Sequence, residues 1–156
     1  MTPAFLDANV FLYAAGQDHV LKQPCVRVLT LVARHRSAFL TDSEVFQEIL
    51  HRSLSIKRWE SMRERFREFM ALMEDRTEAL VANDVAEAAV LVDRFPALAD
   101  RYPAVAARDL VHVAVMQRLR VTRIISADAG FDDIDGIERL DPMLVDDWAH
   151  LVTETR

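Results

Sequence analysis

The sequence predicts an α/β layer fold with a central, mainly parallel sheet flanked by helices. Short apolar runs, too short for helices, alternate along the chain with longer segments of helical periodicity. Only 3 glycines and 5 prolines occur in 156 residues, so turns are few and helices dominate. Two of the short runs end directly before an aspartate, and in parallel sheets functional sites form beyond the carboxyl ends of the strands.

Taken in order, Ala4-Phe5-Leu6 is a strand ending at Asp7. Residues 20 to 36 carry Val20, Leu21, Val28, Leu31 and Val32 at helical spacing. Ala38-Phe39-Leu40 is a second strand, after which Thr41, Asp42 and Ser43 offer caps to a helix from 43 to 52. Residues 57 to 75 form an amphipathic helix with Phe66, Phe69, Met70 and Met73 on one side. Leu80-Val81-Ala82 reads as a strand, Asn83 as the cap of a helix reaching Phe95, and Pro96 to Ala107 as a loop. The stretch from 109 to 119 is apolar nearly all round, which marks a buried central helix. Arg123 to Ser126 is a strand beside Asp128, Ile137 to Leu140 a last strand, and Pro142 opens a final helix at its first position.

The net charge of −6 argues against a polybasic nucleic-acid binder, though not against nucleic acid as a substrate. One cysteine, Cys25, excludes a disulfide scaffold and a cysteine-based zinc cluster, and reads as a packing residue. No basic leader and no apolar run of roughly 18 residues is present, so the expected location is the cytoplasm. The length fits one domain, 1–156.

Carboxylates at the ends of buried elements carry the chemistry. Asp7 and Asp128 follow strands, and Asp109 opens the most apolar helix, where the macrodipole alone would favour an acid. Glu44 and Glu48 stand four apart on one helix face, so at least one points along the edge of the core. Carboxylates gathered in one place repel and resist ionisation unless a divalent cation joins them. Oxygen ligands without cysteine suit Mg2+ or Mn2+ better than Zn2+. Such a site does phosphodiester or phosphoryl chemistry and needs no side-chain nucleophile.

Four segments in order resemble the motifs of PIN-domain nucleases, specifically VapC-like toxins. They are Phe5-Leu6-Asp7-Ala8-Asn9-Val10-Phe11-Leu12, Thr41-Asp42-Ser43-Glu44-Val45-Phe46-Gln47-Glu48-Ile49-Leu50, Ala107-Arg108-Asp109-Leu110-Val111-His112-Val113-Ala114, and Ile124-Ile125-Ser126-Ala127-Asp128-Ala129-Gly130-Phe131-Asp132. The resemblance implies a PIN-like three-layer sandwich and metal-dependent cleavage of RNA by a water activated at Mg2+ or Mn2+. It also implies a cognate small antitoxin and a homodimer. Carried over by position, the catalytic metal ligands are Asp7, Glu48, Asp109 and Asp128. Asn9 and Ser126 support them, with Glu44 nearby. Gly130 stands where many relatives carry a further acid, a place that Asp132 or Asp133 would have to fill.

The same residues bear on other functions. An aspartyl-nucleophile phosphatase or phospho-acceptor would need an acid at position 9, which is Asn9. A non-catalytic PIN-like binding module would have lost motif acids. A calcium loop from Asp128 fails at its sixth and twelfth positions, Asp133 and Arg139. The basic run from Lys57 to Arg67, around Trp59, is interleaved with Glu60, Glu64 and Glu68 and reads as a solvated helix face. Arg52, just past Glu48, is the exception, placed to meet RNA phosphates, and Arg108, next to Asp109, either holds a substrate phosphate or pairs with an acid. His112, three residues after Asp109, reads as a hydrogen-bonded core histidine in preference to a supporting or catalytic group.

Overall fold

The computed structural model describes residues 2–95 and 107–153. Five parallel strands form one sheet: β1 (Ala4–Leu6), β2 (Phe39–Asp42), β3 (Thr77–Glu78), β4 (Arg123–Ile125) and β5 (Glu138–Leu140), in the order β3-β2-β1-β4-β5. Among the described residues, seven helices accompany it: α1 (Ala8–Ala15), α2 (Lys22–Arg34), α3 (Ser43–Ser55), α4 (Trp59–Leu72), α5 (Ala82–Arg94), α6 (Ala107–Arg118) and α7 (Val145–Thr153). Helices α1 to α4 and α7 pack on one another, while α5 packs on α6.

The sheet is short and apolar because it is covered. Every residue of β1 and β2 is buried, including Thr41, whose hydroxyl donates to the Leu6 carbonyl at 2.9 Å. Phe5, Phe11, Phe39, Ile124 and Phe131 form the centre of the core. In α6, the seven residues Leu110 to Met116 are all buried, as its all-round apolar pattern predicts.

The strand order decides where a site can form. The chain moves from β1 outward through β2 to β3, then returns to place β4 on the other side of β1. The direction of winding therefore reverses between β1 and β4, which opens a crevice at their carboxyl ends. Leu6 pairs with Ile125 there, and the Asp7 amide donates to the Ile125 carbonyl.

Several elements differ from the sequence expectation. Helix α1, directly after Asp7, was not foreseen: its eight residues are too few for a periodicity signal, and Asp7 caps it. The third strand is Thr77–Glu78, not Leu80 to Ala82. The backbone at Leu80 donates instead to Ser43 Oγ, and Val81 is the cap of α5. Asn83 does not cap α5; the buried Asp84 carboxylate accepts the Val81 amide at 2.9 Å and pairs with Arg118. Val20 and Met70 are exposed, because α2 begins only at Lys22 and α4 turns Phe69 inward. The expected loop from Pro96 lies outside the described residues, and its last residue, Ala107, already opens α6.

Candidate metal centre

At the crevice, a cavity of about 290 Å³ is lined by Asp7, Asn9, Glu48, His51, Arg52, Ser55, Ile56, Arg108, Asp109 and Asp128. Asp7 comes from the end of β1, Asp128 from the turn after β4, Glu48 from the second turn of α3, and Asp109 from the first turn of α6. The four motif acids thus meet from four separate elements.

Asp7 is the most constrained of them. Its Oδ1 accepts the Ala8 amide at 2.7 Å, which is the cap of α1. Its Oδ2 accepts Asn9 Nδ2 at 2.7 Å and Ser126 Oγ at 2.6 Å. Asn9 Oδ1 in turn accepts the Ala127 amide, and Ser126 Oγ accepts that of Asp128. Asp128 caps its own turn by accepting the Gly130 amide. Asn9 and Ser126 thereby tie the two strand-end aspartates into one network spanning 119 residues of sequence.

Burial pushes the Asp7 carboxyl up to about 6. The charge of His112 and the Ser126 hydrogen bond oppose that rise, and the charge of Glu48 adds to it. A raised folded-state pKa has a definite sign in stability. Below its ordinary value of 3.8 the group is protonated in both states and carries no penalty. Between pH 4 and 6 it ionises in the unfolded chain first, so stability falls, by on the order of 3 kcal/mol in full. In EDTA, the stability of the wild type minus that of Asp7→Asn should therefore drop from pH 4 to pH 6.5 in urea melts. A difference flat with pH would contradict this picture of Asp7.

Under the pocket floor lies a pair that sequence reasoning placed only in part. Asp42, the last residue of β2, caps α3 by accepting the Val45 amide on Oδ1 and holds His112 Nδ1 with Oδ2 at 2.7 Å. Both side chains are fully buried. Burial alone would lower the His112 pKa, but the hydrogen bond and charge of Asp42, helped by Asp7 and Asp109, raise it to about 9. Asp42 was foreseen as a cap, and His112 as a hydrogen-bonded core residue. Their partnership was not, although Asp42 follows an apolar strand just as Asp7 does.

Two expected supporting acids stand elsewhere. Asp132 is outside the cavity lining, held by both oxygens on Arg139. Arg139 also donates to Asp141 and to the Ser126 carbonyl, so this cluster braces the loop behind Asp128. Glu44 also lies outside the lining and faces Arg108 Nε at 3.9 Å, joining α3 to α6 at the rim. Arg52 and Arg108 both line the cavity. On α4, Arg63 pairs with Glu60 and Arg65 with Glu68, as a solvated face should. A larger apolar-walled groove, bordered by Leu12, Tyr13, Arg58 and Met62, adjoins the pocket and shares Asn9, Glu48, Arg52 and Asp128 with it.

The donor set suits a hard divalent cation. Ligand atoms of Asp7, Glu48 and His112 lie within 4.8 Å of one another, and a cation there would offset the cost of ionising a buried Asp7. The arrangement does not suit an aspartyl nucleophile. Both Asp7 oxygens are engaged, and Asn9, where such an enzyme needs an acid, is one of the donors.

Comparison with known proteins agrees with this geometry. The PIN domain family model matches residues 4–137. A VapC ribonuclease of Mycobacterium bovis is 36% identical over 135 residues, which is 86% of this chain and 97% of that protein. Ribonuclease VapC23 of Mycobacterium tuberculosis is 36% identical over 124 residues, 80% of this chain and 91% of the relative. The crystal structure of VapBC2 from Rickettsia felis, bound to a DNA fragment from its promoter, contains a chain that superposes with a TM-score of 0.66 at 14% identity. The match covers 88% of this chain and 97% of that one, and it supports the fold. From the acid pocket at the switch point and from these relationships, the chain belongs to the PIN-domain family, among the VapC ribonucleases.

Proposed function

We propose that this chain is a divalent-metal-dependent endoribonuclease toxin whose activity is held in check by a cognate antitoxin. The observation that carries the proposal is the convergence of Asp7, Glu48, Asp109 and Asp128 on one pocket. These four acids would hold Mg2+ or Mn2+. When bound, such an ion supplies Lewis-acid stabilisation of a phosphodiester and lowers the pKa of water for in-line attack.

The chain's own residues do the rest. Asn9 and Ser126 hold the Asp7 carboxylate in one orientation, so little is lost in reorganising it when substrate arrives. Arg52 and Arg108 at the wall offer guanidinium groups to RNA phosphates flanking the scissile bond. With four acids gathered in the pocket, the rest of the molecule is close to neutral, and the overall charge of −6 is no barrier to RNA.

The relatives' ribonuclease names and the toxin–antitoxin complex of the structural neighbour support the RNA substrate and the antitoxin partner. The groove beside the pocket is the surface such a partner would cover. We further propose that the chain acts as a single domain, as a homodimer and in the cytoplasm. In support of that location, no helix among the described residues is long and apolar enough to cross a membrane.

Purified protein incubated with RNA should cut it in Mn2+ or Mg2+, fall silent in EDTA and recover on re-addition of the ion, with new internal 5′ ends on sequencing. Cleavage that continues undiminished in EDTA would refute metal dependence.

A further inference from the structure

Beside the pocket acids lies a buried polar atom that no described residue satisfies. His112 Nε2 is buried and has no hydrogen-bond partner among the described residues. The ring is not free to turn and find one. Its Nδ1 is held by Asp42 Oδ2 at 2.7 Å, and the other oxygen of Asp42 is committed to the Val45 amide at the start of α3. Asp42 therefore sets both the orientation of the imidazole and the nitrogen that faces away from it.

The imidazole lies beside the acids. A ring nitrogen of His112 and carboxylate oxygens of Asp7 and Glu48 lie within 4.8 Å of one another, and with Nδ1 taken by Asp42 the nitrogen available is Nε2. Nε2 makes no hydrogen bond to either acid. Two atoms each about 2.1 Å from a shared ion face each other across up to about twice that distance. A separation of up to 4.8 Å is of the order that one shared ion spans between two ligands. An imidazole whose far nitrogen is fixed by a carboxylate is also the usual form of a metal-ligating histidine.

We propose that His112 is a nitrogen ligand of the divalent ion, oriented by Asp42, and that the site is consequently a mixed nitrogen and oxygen centre selecting Mn2+ over Mg2+. The inference rests on the reading of the pocket as a divalent-metal centre. Imidazole suits transition ions, whereas Mg2+ is best served by oxygen alone. The histidine also changes what a helix can contribute, because α6 would then supply two ligands, Asp109 and His112, one turn apart.

The test is pulsed electron paramagnetic resonance on the wild-type protein loaded with Mn2+, which requires no variant to fold. The expected result is modulation from a directly coordinated imidazole nitrogen. Calorimetric titrations with MnCl2 and MgCl2 accompany it. His112→Gln, shown folded by circular dichroism, should weaken Mn2+ binding by about tenfold or more and narrow the Mn2+/Mg2+ preference. Asp42→Asn should shift it in the same direction by about tenfold. Mn2+ binding that depends on Asp7 but shows no nitrogen coupling overturns this inference and leaves the metal centre standing. A wild type that binds neither ion overturns the metal centre itself.

Discussion

Asp7→Asn should reduce metal-dependent RNA cleavage by at least about a hundredfold while leaving the protein folded. Loss of an outer partner that merely orients a ligand costs about 10- to 100-fold in metal affinity or activity, so loss of the central carboxylate should cost at least the upper value. The fold survives because asparagine keeps the shape and can still accept the Ala8 amide that caps α1. The substitution also removes a buried group that ionises only against its burial, which lifts a penalty from the metal-free protein at neutral pH. Against that gain stand the hydrogen bonds from Asn9 and Ser126, because the asparagine Nδ2 cannot accept where Oδ2 does. The measurements are initial rates on RNA in Mn2+ and urea melts in EDTA. Retention of more than a tenth of the wild-type rate would remove Asp7 from the reaction.

Asp42→Ala should be the most destabilising single change near the site, at about 3–5 kcal/mol in a urea melt at pH 7. Alanine deletes the cap at Val45 and strands a fully buried His112 without the carboxylate that keeps it charged. Asp42→Asn should cost less, since asparagine still caps α3. The pH dependence has a fixed sign. The His112 pKa is raised from 6.5 to about 9, so the stabilisation it contributes is complete below pH 6.5 and lost as pH rises through 9. The deficit of Asp42→Ala against the wild type should therefore shrink between pH 7 and 9.5 in metal-free buffer. An alanine variant within about 0.5 kcal/mol of the wild type at pH 7 would show that the pair is not a structural tie.

Both substitutions act on residues at strand ends, and the sequence treats them unequally. Asp7, Asp109 and Asp128 are visible because each sits at the border of an apolar run that reads as a buried element. Asp42 sits at such a border too, but its neighbours Thr41 and Ser43 make it look like one of three interchangeable helix caps. Only the depth of β2 shows that its second oxygen cannot reach water and must find His112. Asp132 fails in the opposite way. In sequence it lies next to the motif, yet Arg139 on the neighbouring strand β5 claims both its oxygens. Charge pairs of that kind depend on which strands are adjacent, and adjacency is not written in local periodicity.

The parallel α/β architecture and the buried character of α6 were legible in the sequence alone, because burial and chain reversal leave local marks: apolar runs, capping residues and sparse glycine. The same marks single out Asp7, Asp109 and Asp128, whereas the choice of Glu48 over Glu44 came from the resemblance to PIN-domain nucleases. Tertiary structure decided the rest. It put β4 beside β1, which brings Ser126 against Asp7 across 119 residues, and made the space between them a crevice. It also packed a core histidine against Asp42, with its other nitrogen unsatisfied by any described residue. The physical reason is range. Helix periodicity and capping act over a few residues, whereas strand order and the desolvation of a buried carboxylate or imidazole depend on the whole packed chain.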